Sequence, residues 1–521
     1  MSEGGSSMQV GIAVRKNEYY DSVFLMGINK QLSETPGVEQ TAVVMATNAN
    51  KRLLAEIGIA GPEIDSATAN DLVVAVLSRS GNVTEDVIDS LDEALRSMAA
   101  KSPASDVRTL RAGFEQRPDA NLAVFSIPGD YVADEAGKAL EVGMNVFIFS
   151  SNVPLERELE LKQIGEGKGL LVMGPDCGTS ILNGIGIGFA NAVRRGTIGA
   201  VGPSGTGLQE FTSQVHNAGG GISHAIGTGS NDLSDAIGGL TTLAAMRLLD
   251  ADPDTELIAI IAKPPGAETL AALRAQTVAF TKPLIGCFLG LNQSLVGEFE
   301  PFQLARTIDE ASDMALTAAG IAGAEAVPQD RESEQDLAKA AVAGWSDEQR
   351  YLRGVFAGGT FCYQSQQILQ DAGIDVYSNS PIQTELKLDH PDISRQHTLV
   401  DMGDEHYTLG KLHPMIDAAE RAKRILAEAA DPDVAILLLD FILGYNAASD
   451  PVGDLMESLQ EAMAIRRNRG GDLTIVASVC GTKQDPQDMD LQIEMLKECG
   501  VLVFPSNARA TAFCRRLLGQ V

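Results

Sequence analysis

Short apolar runs alternate along this chain with longer stretches in which apolar positions recur every three or four residues. The first pattern predicts buried strands and the second amphipathic helices. Near the amino end, strands are predicted at 10–14, 38–45 and 71–77, and helices at 20–32, 48–57 and 84–98. Thr84 precedes two acids, which suits a capped helix start. Residues 1–107 thus read as a small α/β module of ferredoxin-like type, closed by a polar linker over 101–107. Residues 108–196 read as a mononucleotide-type unit, with strands at 122–127, 145–149 and 170–173 and helices at 131–142 and 155–165. Residues 197–325 carry strands at 198–201, 222–226, 257–262 and 283–288, with helices from 208, at 233–249 and at 267–279. A charged linker spans 326–350. Residues 351–521 form a further unit, with strands at 351–356, 434–440, 473–479 and 501–504. Its helices run from the 357–360 turn to 371, over 455–467 and around 492–497. This rhythm implies parallel sheets with right-handed crossovers.

The chain has 521 residues, enough for three or four domains, and 44% are hydrophobic. Acidic residues outnumber basic ones by 70 to 40, a net charge of −30. That argues against binding nucleic acid or docking on an anionic membrane. Six scattered cysteines without CxxC spacing suggest neither a disulfide framework nor a zinc site. With no signal-like amino terminus and no long apolar run, the cytoplasm is the expected compartment.

The chemistry gathers in loops after strands, where parallel sheets hold ligands. In Ile198-Gly-Ala-Val-Gly-Pro-Ser-Gly-Thr-Gly-Leu-Gln-Glu, a strand gives way to a glycine turn and then a helix. Bare amides at such a helix start attract anions, and Ser204, Gly205, Thr206 and Gly207 would form the seat. The plainer reading is an ordinary capped turn. It is not a Walker loop, since no Gly-Lys-Ser/Thr follows. Gly358, Gly359 and Thr360 open a second seat of the same kind. Loops carrying Gly129, then Ser150, Ser151 and Asn152, then Asp176, and finally Asn231 offer further substrate contacts. Cys177 is a candidate nucleophile or a packed thiol, and Lys263 a substrate cation or a surface lysine. Asp404, Glu405, His406 and His413 form the densest ionisable cluster, fit either for acid–base work or for hydration. The histidine spacings match no metal motif.

Taken in order, Gly174-Pro-Asp-Cys-Gly, the Ile198 stretch and Gly227-Thr-Gly-Ser-Asn resemble the α subunit of succinyl-CoA synthetase. The resemblance implies a CoA-binding Rossmann-like domain over 108–196 and a flavodoxin-like ligase domain over 197–325. Residues 351–521 are similar to the flavodoxin-like domain of the β subunit. The fused order, with Gly-Thr-Gly-Leu-Gln-Glu after Ser204 and Lys263-Pro-Pro-Gly, is most similar to the FdrA proteins. The ligases carry a phosphorylated histidine in a segment corresponding to 286–325, which here holds none, and no part reads as an ATP-grasp domain.

The FdrA resemblance implies a subunit of an oxamate carbamoyltransferase of purine (allantoin) catabolism, oligomeric and working with two partner proteins. Oxalurate and phosphate would yield carbamoyl phosphate. Lys263 and Cys177 are then the catalytic candidates. The alternatives are an acyl-CoA synthetase subunit, with CoA as the one candidate cofactor beside the 128–130 and 150–152 loops, and a scaffold without chemistry.

Overall fold

The computed structural model describes residues 9–16, 18, 20, 22–33, 35–47, 50–51, 54–55, 59–68, 71–79, 81–99, 107, 109–291, 299–321, 331–408 and 411–519. The helix expected at 48–57 lies partly outside these residues, and the 101–107 linker almost wholly. The chain divides into two compact units, Met1–Met144 with Leu409–Leu412, and Asn145–Thr408 with His413–Val521.

The first unit opens with β1 (Gln9–Arg15), α1 (Ser22–Ser33), β2 (Val38–Met45), α2 (Pro62–Ser66), β3 (Leu72–Ser78) and α3 (Gly81–Ala99). Its sheet has the order β1-β3-β2, and β3 runs antiparallel to both neighbours. This is the split β-α-β arrangement of a ferredoxin-like module. The central strand Leu-Val-Val-Ala-Val-Leu-Ser is buried almost throughout, because both its edges are paired and helices cover it. The unit continues with α4 (Leu110–Gln116), β4 (Leu122–Phe125) and α5 (Gly129–Glu141).

The second unit begins with β5 (Asn145–Ile148), α6 (Leu155–Lys168) and β6 (Val172–Met173), the two strands pairing in parallel. A hairpin follows, β7 (Thr179–Leu182) and β8 (Ile185–Gly188). After it come β9 (Arg195–Gly202), α7 (Gly205–Asn217), β10 (Ile222–Gly227), α8 (Leu240–Ala251), β11 (Leu257–Ala262), α9 (Ala267–Thr277), β12 (Leu284–Phe288), β13 (Gln303–Ala305) and α10 (Ile308–Ala318). They build a seven-stranded sheet of order β13-β12-β11-β9-β10-β7-β8, parallel except for the hairpin.

Beyond α11 (Arg331–Ala343) lie β14 (Tyr351–Phe356), α12 (Gly359–Gln370), β15 (Tyr377–Ser378), β16 (Thr398–Asp401), α13 (Glu405–Thr408), α14 (Ala419–Ala430), β17 (Val434–Ile442), α15 (Gly453–Arg467), β18 (Thr474–Cys480), α16 (Met489–Glu498), β19 (Leu502–Phe504) and α17 (Asn507–Leu518). Six of these strands form an all-parallel sheet, β15-β16-β14-β17-β18-β19. β17 is buried along its whole length, as a central parallel strand covered on both faces must be.

Several expectations differ from this architecture; Thr84, for one, lies inside α3, which already starts at Gly81. The Rossmann-like stretch expected over 108–196 includes residues 179–188, yet these extend the next sheet, with Ile181 opposite Ala225. The helix expected over 233–249 starts only at Leu240. Gly238 and Gly239 take left-handed φ of 75° and 71°, and the Asp232 carboxylate accepts the amides of Thr241 and Thr242. Between 371 and 434 the apolar pattern assigns no element. That stretch contains β16, whose four residues are too few to show a period and which is defined by its pairing with β14.

Two glycines separate packing from propensity. At Gly202 a Cβ would collide with the Ile261 carbonyl, so β9 and β11 can approach only over a glycine. At Gly167, inside α6, a Cβ would meet nothing within 4 Å. Gly202→Ala is expected to lower stability by about 1–3 kcal/mol, whereas Gly167→Ala should raise it by up to about 1 kcal/mol. Urea denaturation of both variants checks the contrast.

Candidate functional site

The two glycine turns, 156 residues apart in sequence, meet in space. Ser204 caps α7, its Oγ accepting the Gly207 amide at 3.0 Å. The same Oγ hydrogen-bonds Thr360 Oγ1 in the first turn of α12. Two helix amino ends therefore converge, each with the partial positive charge of unpaired amides. The first two amides of each helix, those of Gly205 and Thr206 and those of Gly359 and Thr360, have no protein partner among the described residues. All four residues are half-buried. The amides just before α12 are occupied, because Asp440 accepts from Ala357 at 2.8 Å and Gly358 at 2.7 Å. Arg421 Nη2 meets that carboxylate at 2.9 Å.

Strand register brings Lys263 to the same edge. Val201 pairs with Ile260, so Ser204 and Lys263 each stand three residues past a paired position. The exposed Lys263 ammonium lies 4.3 Å above the ring of Tyr363, one turn into α12. Gly290, at the end of β12, donates its amide to Gln367 Oε1 at 2.6 Å. Any side chain there would strike Tyr363.

The other candidates fall elsewhere. Cys177 is buried, and a Cβ on Gly227 would collide with its sulfur. Desolvation pushes its thiol up to about 12, so it stays protonated at neutral pH and its place here is packing. This corrects its reading as a nucleophile. Ser150 sits under the Asp176 amide, which donates to the Ser150 carbonyl at 2.9 Å, while Ser151, Asn152 and the Asp176 side chain are exposed. Gly229 packs against Pro175 and Gly174, so the loops after β5, β6 and β10 adjoin. Asn231 donates to Glu158 Oε2 at 3.1 Å. That places it at the margin of a buried knot, in which Lys162 bonds Asp232 at 2.6 Å and the Thr228 carbonyl at 2.8 Å. Gly129 belongs to the other unit, where it opens α5.

In the histidine cluster, Asp404 caps the short turn holding His406 and His406 pairs with Asp392, both near the surface. His413 is different: burial and Arg421 drive its imidazole down to about 4. Asp401, Asp440 and Tyr363 were not anticipated. Both aspartates stand in or at the end of strands, and only pairing with β14 reveals that they flank the turn.

Residues 355–517 match the CoA-ligase family, and residues 8–109 match the heavy metal-associated domain of AllF. Residues 355–517 are thus a CoA-ligase-type domain, in a mixed α/β chain with succinyl-CoA-synthetase-type sheets. The chain belongs to the family of the uncharacterized protein YahF of Escherichia coli K12. The two are 40% identical over 514 residues, spanning 98% of this chain and 99% of that one. The ADP-forming sulfoacetate-CoA ligase subunit SauD of Bilophila wadsworthia is 26% identical over 35% of this chain and 63% of its own length. The α subunit of ADP-forming succinate–CoA ligase from Methanothermobacter thermautotrophicus is 29% identical over 27% and 48%. Among solved structures, the dinucleotide-forming acetyl-coenzyme A synthetase 1 of Ca. Korarchaeum cryptofilum, in complex with phosphate and ADP, aligns at 17% identity. It covers 77% of this chain and 83% of that one at a TM-score of 0.29. No helix among the described residues is long and apolar enough to cross a membrane.

The name of the amino-terminal domain implies soft-metal chemistry that its residues do not fit. Residues 8–109 contain neither cysteine nor histidine, the ligands such ions prefer.

Behind the twin turns, Glu210 of α7 and Asp309 of α10 share Gln214, which donates to both at 2.9 Å. Ser506 donates to Asp309 at 2.6 Å, and the Asn507 amide reaches Glu210. Desolvation, then Asp309, raise the Glu210 carboxyl to about 7. A folded value above the unfolded one means that stability is fully present below about pH 4.5 and is lost as pH rises through about 7. Glu210→Gln should remove roughly 2–4 kcal/mol of that loss. Urea midpoints at pH 5.5 and 8 should then differ less for the variant than for the wild type.

Proposed function

We propose that this protein moves acyl groups to and from a small oxyanion in the manner of the CoA-ligase class, holding the oxyanion between the amino ends of α7 and α12. One observation carries the reading: four bare amides, two hydroxyls and a nearby lysine share one edge. Fixed donors of this kind stabilise charge that develops on a reacting phosphate or carbonyl oxygen without reorganising. Lys263 adds a mobile cation, as electrostatic stabilisation of phosphate requires. CoA, which the family match implies, would be held by exposed residues of the adjoining loops of the second unit, Ser151 and Asn152 first. When bound it supplies the thiol that carries the acyl group.

A narrower reading is favoured by the lack of any histidine over 286–325. Without a phosphohistidine relay, phosphate itself becomes the acceptor, as in the oxamate carbamoyltransferase that the FdrA resemblance implies. A phosphate oxygen would bond the carbamoyl carbon of oxalurate as the carbon–nitrogen bond breaks. The departing nitrogen takes up the phosphate proton, releasing oxamate and carbamoyl phosphate. Partner subunits and an oligomeric assembly belong to this reading.

Two assays decide between them. Calorimetry with CoA, together with hydroxamate trapping of acyl phosphate from acyl-CoA and phosphate, tests the first. Carbamoyl phosphate formation from oxalurate, with and without partner proteins, tests the second. In whichever assay is positive, the Ser204→Ala, Thr360→Ala protein should lose about 10–100-fold in rate. Undiminished turnover in that variant refutes the twin-turn seat, and silence in both assays leaves a scaffold role.

A further inference from the structure

Asp401 closes β16, and its register opposite Phe356 sets it beside the Ala357–Thr360 turn. Its Oδ1 accepts the Gly403 amide at 2.9 Å. Its Oδ2 lies against Gly359, where a Cβ would collide with it, and has no hydrogen-bond partner among the described residues. An unpartnered carboxyl oxygen thus faces the first residue of α12, one position from the Ser204–Thr360 contact.

The charges around it do not offset a carboxylate. From β17 comes Asp440, which already occupies Arg421 and two amides. From the following loop come Asp404, which adds negative charge, and His413, which stays neutral. From α12 comes the buried thiol of Cys362, and from the end of β11 the Lys263 ammonium. Burial leads, and Asp404 and Asp440 add to it. Together they outweigh the Gly403 amide and Lys263 and raise the Asp401 carboxyl to about 7.

A carboxylate aimed into this turn would cancel the attraction its amides offer an anion. A carboxylic acid would add a donor instead, as acids held neutral in oxyanion sites do. We propose that Asp401 is the neutral acid of the twin-helix seat, donating a hydrogen bond from Oδ2 to a tetrahedral oxyanion held at the Gly359 and Thr360 amides. The ligand class is inorganic phosphate or the phosphoryl end of an acyl phosphate, and the inference rests on the reading of the seat given above. Anion binding then requires a proton on the protein and weakens as that proton leaves.

Sulfate is the probe, because its own charge is constant across the range. Wild-type affinity, measured by calorimetry on the full chain, should fall about 30-fold between pH 6 and pH 8.5. Asp401→Asn, whose amide can still donate, should bind with an affinity that stays within about twofold across the range. Lys263→Met removes a charge that favours ionisation, so its decline should move to higher pH whatever its starting affinity. A decline in Asp401→Asn equal to that of the wild type overturns the proposal. So does a wild type that binds sulfate equally at both pH values, or a Lys263→Met decline that stays put or moves down. If the wild type binds no sulfate at any pH, the seat itself is refuted and the proposal with it.

Discussion

Two helix amino ends pointed at one another repel, and the second unit is built to hold them there. α12 is packed between the two large sheets, and its polar residues tie it across. Gln364 accepts the Ile308 amide at 2.9 Å and donates to Asn507 at 2.8 Å. Gln367 accepts from Gly290 and donates to the Arg306 carbonyl. On the far side, Asp485 accepts from Asn191 and Ala192, and the Tyr445 amide donates to the Ala190 carbonyl. Buried polar groups must be satisfied or they cost more than they contribute, so such a network fixes one arrangement of the sheets. The strain of facing dipoles is offset by this interface and would be relieved by a bound anion.

The surroundings of the second turn show how one scaffold treats two carboxylates differently. Asp440 is satisfied by two amides and an arginine and seals the base of the turn. Asp401, on the strand to the other side, receives a single amide. The amides beyond, at Gly359 and Thr360, have no protein partner among the described residues. The same division appears among the sulfurs. Cys177, Cys362 and Cys480 all lie near the strand ends that form this edge, and burial raises every one of their thiols. Thiolate chemistry is thereby disfavoured at the edge where we propose the oxyanion seat.

Kinship with CoA ligases accounts for the sheets of the second unit more fully than for the whole chain. The chain spans 63% of SauD and about half of the archaeal succinate–CoA ligase α subunit, and its first module matches a domain of AllF. That module has the split β-α-β core and contains neither cysteine nor histidine.

Most strands of both large sheets could be read in advance. Buried parallel strands are short apolar runs, and glycine punctuates their ends. Both glycine turns were legible for the same reason, as were Ser204 and Thr360, since a helix start advertises itself through local residue choice. What could not be read was adjacency. A hairpin belongs to whichever sheet offers it an edge, which is why 179–188 changed domain. A four-residue strand such as β16 exists only through its partner. Asp401 and Asp440 look alike as lone acids in or at the end of apolar runs, and what separates them, the number of partners each finds, is a property of neighbours tens of residues away or across a sheet. Sequence sets local conformation through sterics and periodicity. Which groups share a site, and in what charge state, is set by long-range pairing and desolvation, and these arise only once the chain has closed on itself.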